Sequence, residues 1–246
     1  MKTPQSAPKT GMILAAGEGR RMRPITETIP QPMTAIAGRP LIDDALDRME
    51  EAGIETVVVN SWWKAEVLEA HLAQRKTPLI EISREEELLD TGGGVKRALP
   101  HFGDTPFIVA NGDSLWLNSL SPALERLANL WDDAAMDALL MLFPTHGALG
   151  YRGTGDFFAQ PGTSIRRRKE QEVVPFAYMG VQMLHPRLFE GAPDGPFSLN
   201  LLYDRAAEAG RLHGMVHDGM WYHVSTPEDI PATEDAFLAG HTLKMV

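Results

Sequence analysis

Cysteine is absent from all 246 residues, which removes disulfides, thiolate metal ligands and cysteine nucleophiles together and suits a reducing compartment such as the cytoplasm. Long apolar runs are missing too. None approaches the roughly 18 residues that a membrane span needs, and Met1 to Thr10 lacks the hydrophobic stretch of a secretion signal. Positive charge is scarce: Lys plus Arg total 23 against 33 Asp plus Glu, a formal net charge of -10, so no broad basic surface for nucleic acid is expected. Any phosphate must then be held locally. Nor does a Pro-, Gly- or Ser-rich linker split the chain, and 43% hydrophobic content suffices for one large core. The expectation is a frayed start over 1–10 and a single domain over 11–246, without a nucleic-acid or membrane partner, as a monomer or weak homodimer.

What the chain does carry is alternation. Gly11 to Ala16 is an uninterrupted apolar run bounded by Gly17 and Gly19, as in a strand buried on both faces. Pro24, Pro30 and Pro32 keep 18–37 out of helix, which resumes at Pro40 with the stripe Ile42, Ala45, Leu46 and Met49 and stops at Gly53. A strand over 54–60, a helix over 64–75 with Val67, Leu68 and Leu72 inward, and a strand over 79–83 follow. Next come a glycine-led helix over 92–99 and a strand over 106–110 that runs into Asn111-Gly112-Asp113. The second half predicts strands over 136–143 and 173–184, with a hairpin over 151–161 between them. Helices follow over 199–209, carrying the stripe Leu199, Leu202, Tyr203 and Ala206, and from Thr226-Pro227 to about Ala239. Repeated strand–helix succession implies an α/β sandwich with a parallel sheet, whose ligands meet the carboxyl ends of the strands, here 17–31 and the vicinity of Asp113.

The loop after the first strand reads LAAGEGRRMRPITETIPQPM, from Leu14 to Met33. Glycines at 17 and 19 let backbone amides approach a polyphosphate, and Arg20, Arg21 and Arg23 supply charge-assisted donors to its oxygens. A dinucleotide fingerprint would need glycine where Met22 stands, and the Gly-Lys-Ser/Thr of a Walker loop is absent. By itself the G-x-G spacing fits a plain surface loop as well as a phosphate site.

The whole string resembles the signature of the sugar-1-phosphate nucleotidyltransferases, with Gly17, Gly19, Arg21, Met22, Pro24, Thr26, Pro30 and Pro32 in register. That resemblance implies a Rossmann-like three-layer α/β/α sandwich with a mostly parallel central sheet. It also implies a Mg²⁺-dependent enzyme, with Mn²⁺ a possible substitute, that joins a nucleoside triphosphate to a sugar 1-phosphate. Ala15, Ala16, Gly17, Gly19, Arg20 and Arg21 would then hold the nucleotide, Arg21 bridging the triphosphate. Leu89-Asp90-Thr91-Gly92-Gly93-Gly94 is similar to the family's glycine segment beside the base, so Thr91, Gly92 and Gly93 join that set. Asn111-Gly112-Asp113 is similar to its metal site, with Asp113 holding the cation and Asn111 near the sugar, although such a turn is otherwise a common structural device. Gly153-Thr154-Gly155-Asp156-Phe157 and the overall length most resemble the branch that pairs UTP with N-acetylmuramate 1-phosphate. The resemblance places Asp156, Glu172 and Gly180 on the sugar. His185 reads as a structural histidine, and the basic run Arg166 to Lys169 as a solvated turn or as a receiver for an acidic substrate.

Two residues depart from the family pattern. Gln31 stands where the resemblance calls for a lysine on the α-phosphate, keeping a donor but losing its charge. His223 stands where an aspartate would be the second metal ligand, and imidazole suits softer ions than Mg²⁺. A weakened homologue that binds nucleotide or sugar phosphate as a regulatory protein therefore remains a second reading. A guanylyl- or thymidylyltransferase acting on another hexose or heptose phosphate is a third.

Overall fold

In the computed structural model, residues 8–159 and 163–242 are described. In chain order, β1 (Thr10–Leu14) is followed by a long loop containing the two-residue strands β2 (Ala35–Ile36) and β3 (Arg39–Pro40). Then come α1 (Leu41–Glu51), β4 (Thr56–Ser61), α2 (Ala65–Leu72), β5 (Leu79–Arg84), α3 (Asp90–Ala98) and β6 (Phe107–Asn111). The second half adds β7 (Leu115–Leu117), α4 (Ala123–Leu130), β8 (Ala138–Pro144), the hairpin strands β9 (Phe157–Ala159) and β10 (Ile165–Arg167), and β11 (Phe176–Leu184). It closes with α5 (Asn200–Glu208), β12 (Leu212–Val216), β13 (Met220–Tyr222) and α6 (Asp229–Thr242).

The central sheet is mixed. Its parallel core is β6-β1-β4-β5, and β11 runs antiparallel to both β6 and β8, with β12 parallel to β8 at the far side. Strand after strand sends successive residues to opposite faces, and both faces are covered. Ile13, Val57, Val59, Ile108, Leu139 and Met141 pack with α1, α2 and α4, whereas Met12, Val58, Val109, Leu140 and Leu142 pack with α3 and α5. This is why the strands read as continuous apolar runs: burial on both sides leaves no polar face to alternate with. The result is a mixed sheet with mostly parallel central strands, flanked by helices, as the resemblance implied.

Several boundaries differ from the sequence reading. Thr10 opens β1, and the Lys9 carbonyl accepts from Glu55 and Thr56 N–H, so the last two residues of the expected frayed start are hydrogen-bonded; residues 1–7 lie outside the described set. β1 ends at Leu14, and Ala15 and Ala16 already belong to the loop. Single 3₁₀ turns at Arg20–Met22, Ile25–Glu27 and Gln31–Met33 occupy the proline-punctuated segment, since a turn of that length needs few of the N–H groups prolines lack. Val67 is 38% exposed rather than inward; Ala65, Leu68 and Leu72 form the buried face of α2. The last helix begins at Asp229, whose carboxylate ties back the Ser225 and Thr226 N–H groups at 3.0 and 2.8 Å and so holds Thr226-Pro227 in a preceding turn. Of the expected hairpin, Gln160 and Pro161 lie outside the described residues.

Among the described residues no helix is long and apolar enough to cross a membrane. Leu140, fully buried in β8 between β11 and β12, tests the packing: Leu140→Ala should lower unfolding free energy by about 2–5 kcal/mol. Leu79→Ala, at a side chain 60% exposed on the edge strand β5, should change it by less than about 0.5 kcal/mol in the same denaturant titration.

Candidate active site

The chain builds β1, β4 and β5 outward in one direction and then crosses back to place β6 on the other side of β1. Such a reversal opens a crevice at the carboxyl ends of the two strands where it occurs. Leu14 and Asn111 are paired at those ends, so the loop after β1 and the Asn111-Gly112-Asp113 turn leave the sheet side by side.

Local packing fixes the loop. Met22 is completely buried beside Leu41, Leu115, Tyr222 and Val224, pinning the arginine-bearing turn to the body of the protein. Gly19 is left-handed at φ 60°, and its carbonyl accepts from the Thr26 hydroxyl at 2.8 Å. Pro32 lies against Gly112, where a Cβ would come within 2.9 Å of the proline ring. Two hydrogen bonds then join loop to turn: Gly112 N–H donates to the Leu14 carbonyl at 2.9 Å, and Gln31 Nε2 donates to Asp113 Oδ2 at 2.7 Å.

A cavity of about 360 Å³ opens there, with Ala15, Ala16 and Gly17 on one wall and Thr91, Asn111 and Asp113 among the others; Gln31 also faces it. The wall at Ala15 is held by residues that sequence reasoning missed. Asn60 Oδ1 accepts the Ala15 N–H at 2.7 Å, while Asn60 Nδ2 donates to Glu85 Oε1 at 2.7 Å and Glu85 Oε2 accepts from Leu89 N–H at 3.0 Å. Burial pushes the Glu85 carboxyl upward, against the pull of those donors. The signal available was an asparagine directly after the valines of β4; Glu85, just past the mixed polar and apolar strand β5, gave none.

A second cleft of about 400 Å³ contains Arg21, Tyr151, Asp156, Tyr178 and His223. Arg21 makes no ion pair among the described residues, yet its charge acts on both clefts. Burial raises the Asp113 carboxyl above the usual carboxylate range, and Arg21 and Gln31 partly oppose it. Burial and Arg21 push the His223 imidazole below its ordinary value, against Asp229 and Asp156, which favours the neutral ring. Asp156 Oδ2 accepts from the Tyr178 N–H at 2.9 Å, which orients the carboxylate in this cleft.

Other expected site residues stand elsewhere. Arg20 turns back onto Glu18, with Nε to Oε2 at 2.7 Å, and its side chain is 75% exposed outside both cavities. Gly92 and Gly93 are tightly packed: their N–H groups donate to the Phe197 carbonyl, and a Cβ at either would strike the 195–197 segment. Glu172 forms a two-pronged pair with Arg166 at 2.8 and 2.7 Å, which with the Lys169 N–H pulls its carboxyl down to about 2. Gly180 makes room for neighbouring side chains. At φ 76° it admits Ser114 Oγ and Asn111, which a Cβ would meet at 2.4 and 2.7 Å, and it lies where β11 slips register against β8. His185 accepts from Arg187 N–H at 3.1 Å, a structural capping contact.

Asp113 and His223 line different clefts, and among the described residues no group of three or more His, Asp or Glu side chains could hold a metal ion. A half-buried carboxylate lining a cavity of this size nevertheless suits a hard divalent ion that completes its coordination with substrate oxygens. His223 adds no second negative charge.

Comparisons with known proteins identify the family and the fold. A family model described as nucleotidyl transferase matches residues 10–151. An N-acetylmuramate alpha-1-phosphate uridylyltransferase from Caulobacter vibrioides is 42% identical over 233 residues, covering 93% of this chain and 96% of that protein. One from Neisseria meningitidis serogroup B is 32% identical, covering 87% and 92%. Among solved structures, a UDP-glucose pyrophosphorylase complexed with UDP-glucose superposes with TM-score 0.76 at 18% identity, over 94% of this chain and 99% of that one. An inositol-1-phosphate CTP transferase from T. maritima gives 0.73 at 17%, over 92% of each, and both likenesses speak to the fold.

Because burial raises the Asp113 carboxyl in the folded chain, its contribution to stability is fully present below the usual carboxylate range and is lost as pH rises through the raised value. In metal-free buffer Asp113→Asn should therefore raise the thermal midpoint at neutral pH, with the gap closing in acid. A lowered midpoint at neutral pH would show that the carboxylate stabilises the fold.

Proposed function

Because the chain belongs to the nucleotidyl transferase family, whose enzymes join a nucleoside triphosphate to a sugar 1-phosphate, we propose that its own pair is UTP and N-acetylmuramate 1-phosphate. The observation that carries this choice is 42% identity to a uridylyltransferase of that specificity over 93% of the chain. The nucleotide would lie in the cavity walled by Ala15, Ala16, Gly17 and Thr91, and the sugar in the cleft of Arg21 and Asp156.

In the reaction, an oxygen of the sugar phosphate attacks the α-phosphorus of UTP. The new P–O bond forms as the α–β anhydride bond breaks, giving the UDP-sugar and pyrophosphate. No protein nucleophile takes part, so the chain contributes position and charge. Arg21, which lines the second cleft and makes no ion pair among the described residues, neutralises the phosphates of the two substrates and the pyrophosphate that leaves. Gln31 holds Asp113 through one amide hydrogen and has a second to offer the α-phosphate, as a neutral donor. Asp113 would hold Mg²⁺, or Mn²⁺ in its place, which when bound offsets the negative charge of the two substrates. His223, held neutral, leaves that cation with less protein charge than a second carboxylate would give.

Gln31 and His223 also support the second reading, a homologue that binds without turnover. Pyrophosphate release with UTP, N-acetylmuramate 1-phosphate and Mg²⁺ or Mn²⁺ separates the two. The enzyme reading expects steady turnover, and nucleotide binding by calorimetry with no pyrophosphate from any sugar phosphate would contradict it. Arg21→Ala should lower kcat/KM by about a hundredfold or more, Arg20→Ala by less than about threefold, and Gln31→Lys should raise kcat by about tenfold.

A further inference from the structure

The cleft holding Asp156 does not end there. Asp156 and Tyr178 also line a neighbouring cavity of about 240 Å³, whose remaining walls are Phe157, Arg167, Arg168 and Asn200. Asn200, the first residue of α5, belongs as well to a cleft shared with Thr91 and Asn111, so this cavity adjoins the space between nucleotide and sugar.

The basic run that enters this cavity is unequally neutralised. Arg166 is held by both oxygens of Glu172, and Arg167 pairs with Asp204 at 2.6 Å. Arg168 pairs with no carboxylate among the described residues. Among the described residues its exposed guanidinium reaches only the Glu172 carbonyl, at 3.4 Å, while its own N–H donates to the Asp156 carbonyl at 2.8 Å and fixes its backbone beside the sugar cleft. In a chain with a net charge of -10, an arginine left unpaired in a concavity is a receptor for an anion. Asn200 adds an amide on the same wall. Asp156 is the opposing charge in this space, and its Oδ2 is already engaged by Tyr178 N–H, which suits it to a sugar hydroxyl.

We propose that Arg168, assisted by Asn200, binds a carboxylate carried by the sugar and thereby selects an acidic sugar 1-phosphate over its neutral counterpart. The inference rests on the function proposed above. N-acetylmuramate differs from N-acetylglucosamine by one lactyl ether, and the carboxylate of that ether is the only added charge. A neutral sugar would offer that guanidinium only uncharged acceptors, which it holds less strongly than a carboxylate. A second phosphate on the sugar would satisfy the same chemistry, so the test carries a bisphosphate arm.

The experiment measures kcat and KM with UTP and Mg²⁺ for N-acetylmuramate 1-phosphate, N-acetylglucosamine 1-phosphate and glucose 1,6-bisphosphate, in wild type, Arg168→Ala and Arg168→Lys. Expected is a wild-type preference for the muramate, and in Arg168→Ala a fall of about tenfold or more in the muramate-to-glucosamine ratio of kcat/KM. The fall should reside in KM for the muramate rather than in kcat, and lysine should recover part of it. A ratio within about twofold of wild type in Arg168→Ala, or a wild-type enzyme that prefers the glucosamine or the bisphosphate, overturns the inference while leaving the transferase reading intact. If wild type releases no pyrophosphate with any pair, the proposed activity fails instead, and calorimetry still reads the pocket. N-acetylmuramate 1-phosphate binding Arg168→Ala about tenfold more weakly than wild type supports the carboxylate site, and equal affinity overturns it.

Discussion

The hydrogen bond from Gln31 to Asp113, 2.7 Å long and spanning 82 residues of sequence, closes the first loop onto the end of β6. Around it the Pro32 ring rests on Gly112, and the Gly112 N–H reaches back to Leu14. Parallel pairing of β1 with β6 makes the contact possible, because only then do both strands release their chains at the same edge of the sheet. Burial disfavours the charge on Asp113, and the neighbours that oppose this, Arg21 and Gln31, both come from the opposite loop. Loop geometry and carboxylate chemistry therefore depend on one another.

The distribution of charge follows the same economy of cations. Three arginines crowd the first loop, and Glu18 engages Arg20 at 2.7 Å and Arg23 at 3.7 Å, which leaves Arg21 to act on the clefts. In the second basic run Glu172 and Asp204 neutralise Arg166 and Arg167, leaving Arg168 at the sugar end. An acidic chain can in this way hold anionic substrates without a broadly positive surface, since each unpaired guanidinium lines a cleft rather than a broad basic face.

The parallel core was legible in the sequence because strands buried on both faces must be apolar throughout, as in Val57-Val58-Val59 and Ile108-Val109-Ala110. The first loop was legible for a related reason: Met22, Pro30 and Pro32 have few substitutes once one side chain must fill a core and a rigid ring must cover a turn. What pairing decides was not legible. Nothing local reveals that Glu172 meets Arg166, that Arg20 folds onto Glu18, or that the 195–197 segment occupies the space above Gly92 and Gly93. Gly180 shows the same ambiguity, since an absent side chain announces a close approach without naming what approaches, and here it is Ser114 and Asn111. Val67 was misplaced because α2 is short and its buried stripe is set by Leu68 and Leu72, which leaves the adjacent position facing out.

A crystal structure with UTP bound in the presence of Mn²⁺, located by its anomalous signal, addresses the central claim most directly. The account predicts the triphosphate across the junction of the two loops, Arg21 on its phosphate oxygens and the manganese peak against an Asp113 carboxylate oxygen. A nucleotide seated away from the Gln31–Asp113 contact, or a metal bound without Asp113, would contradict it.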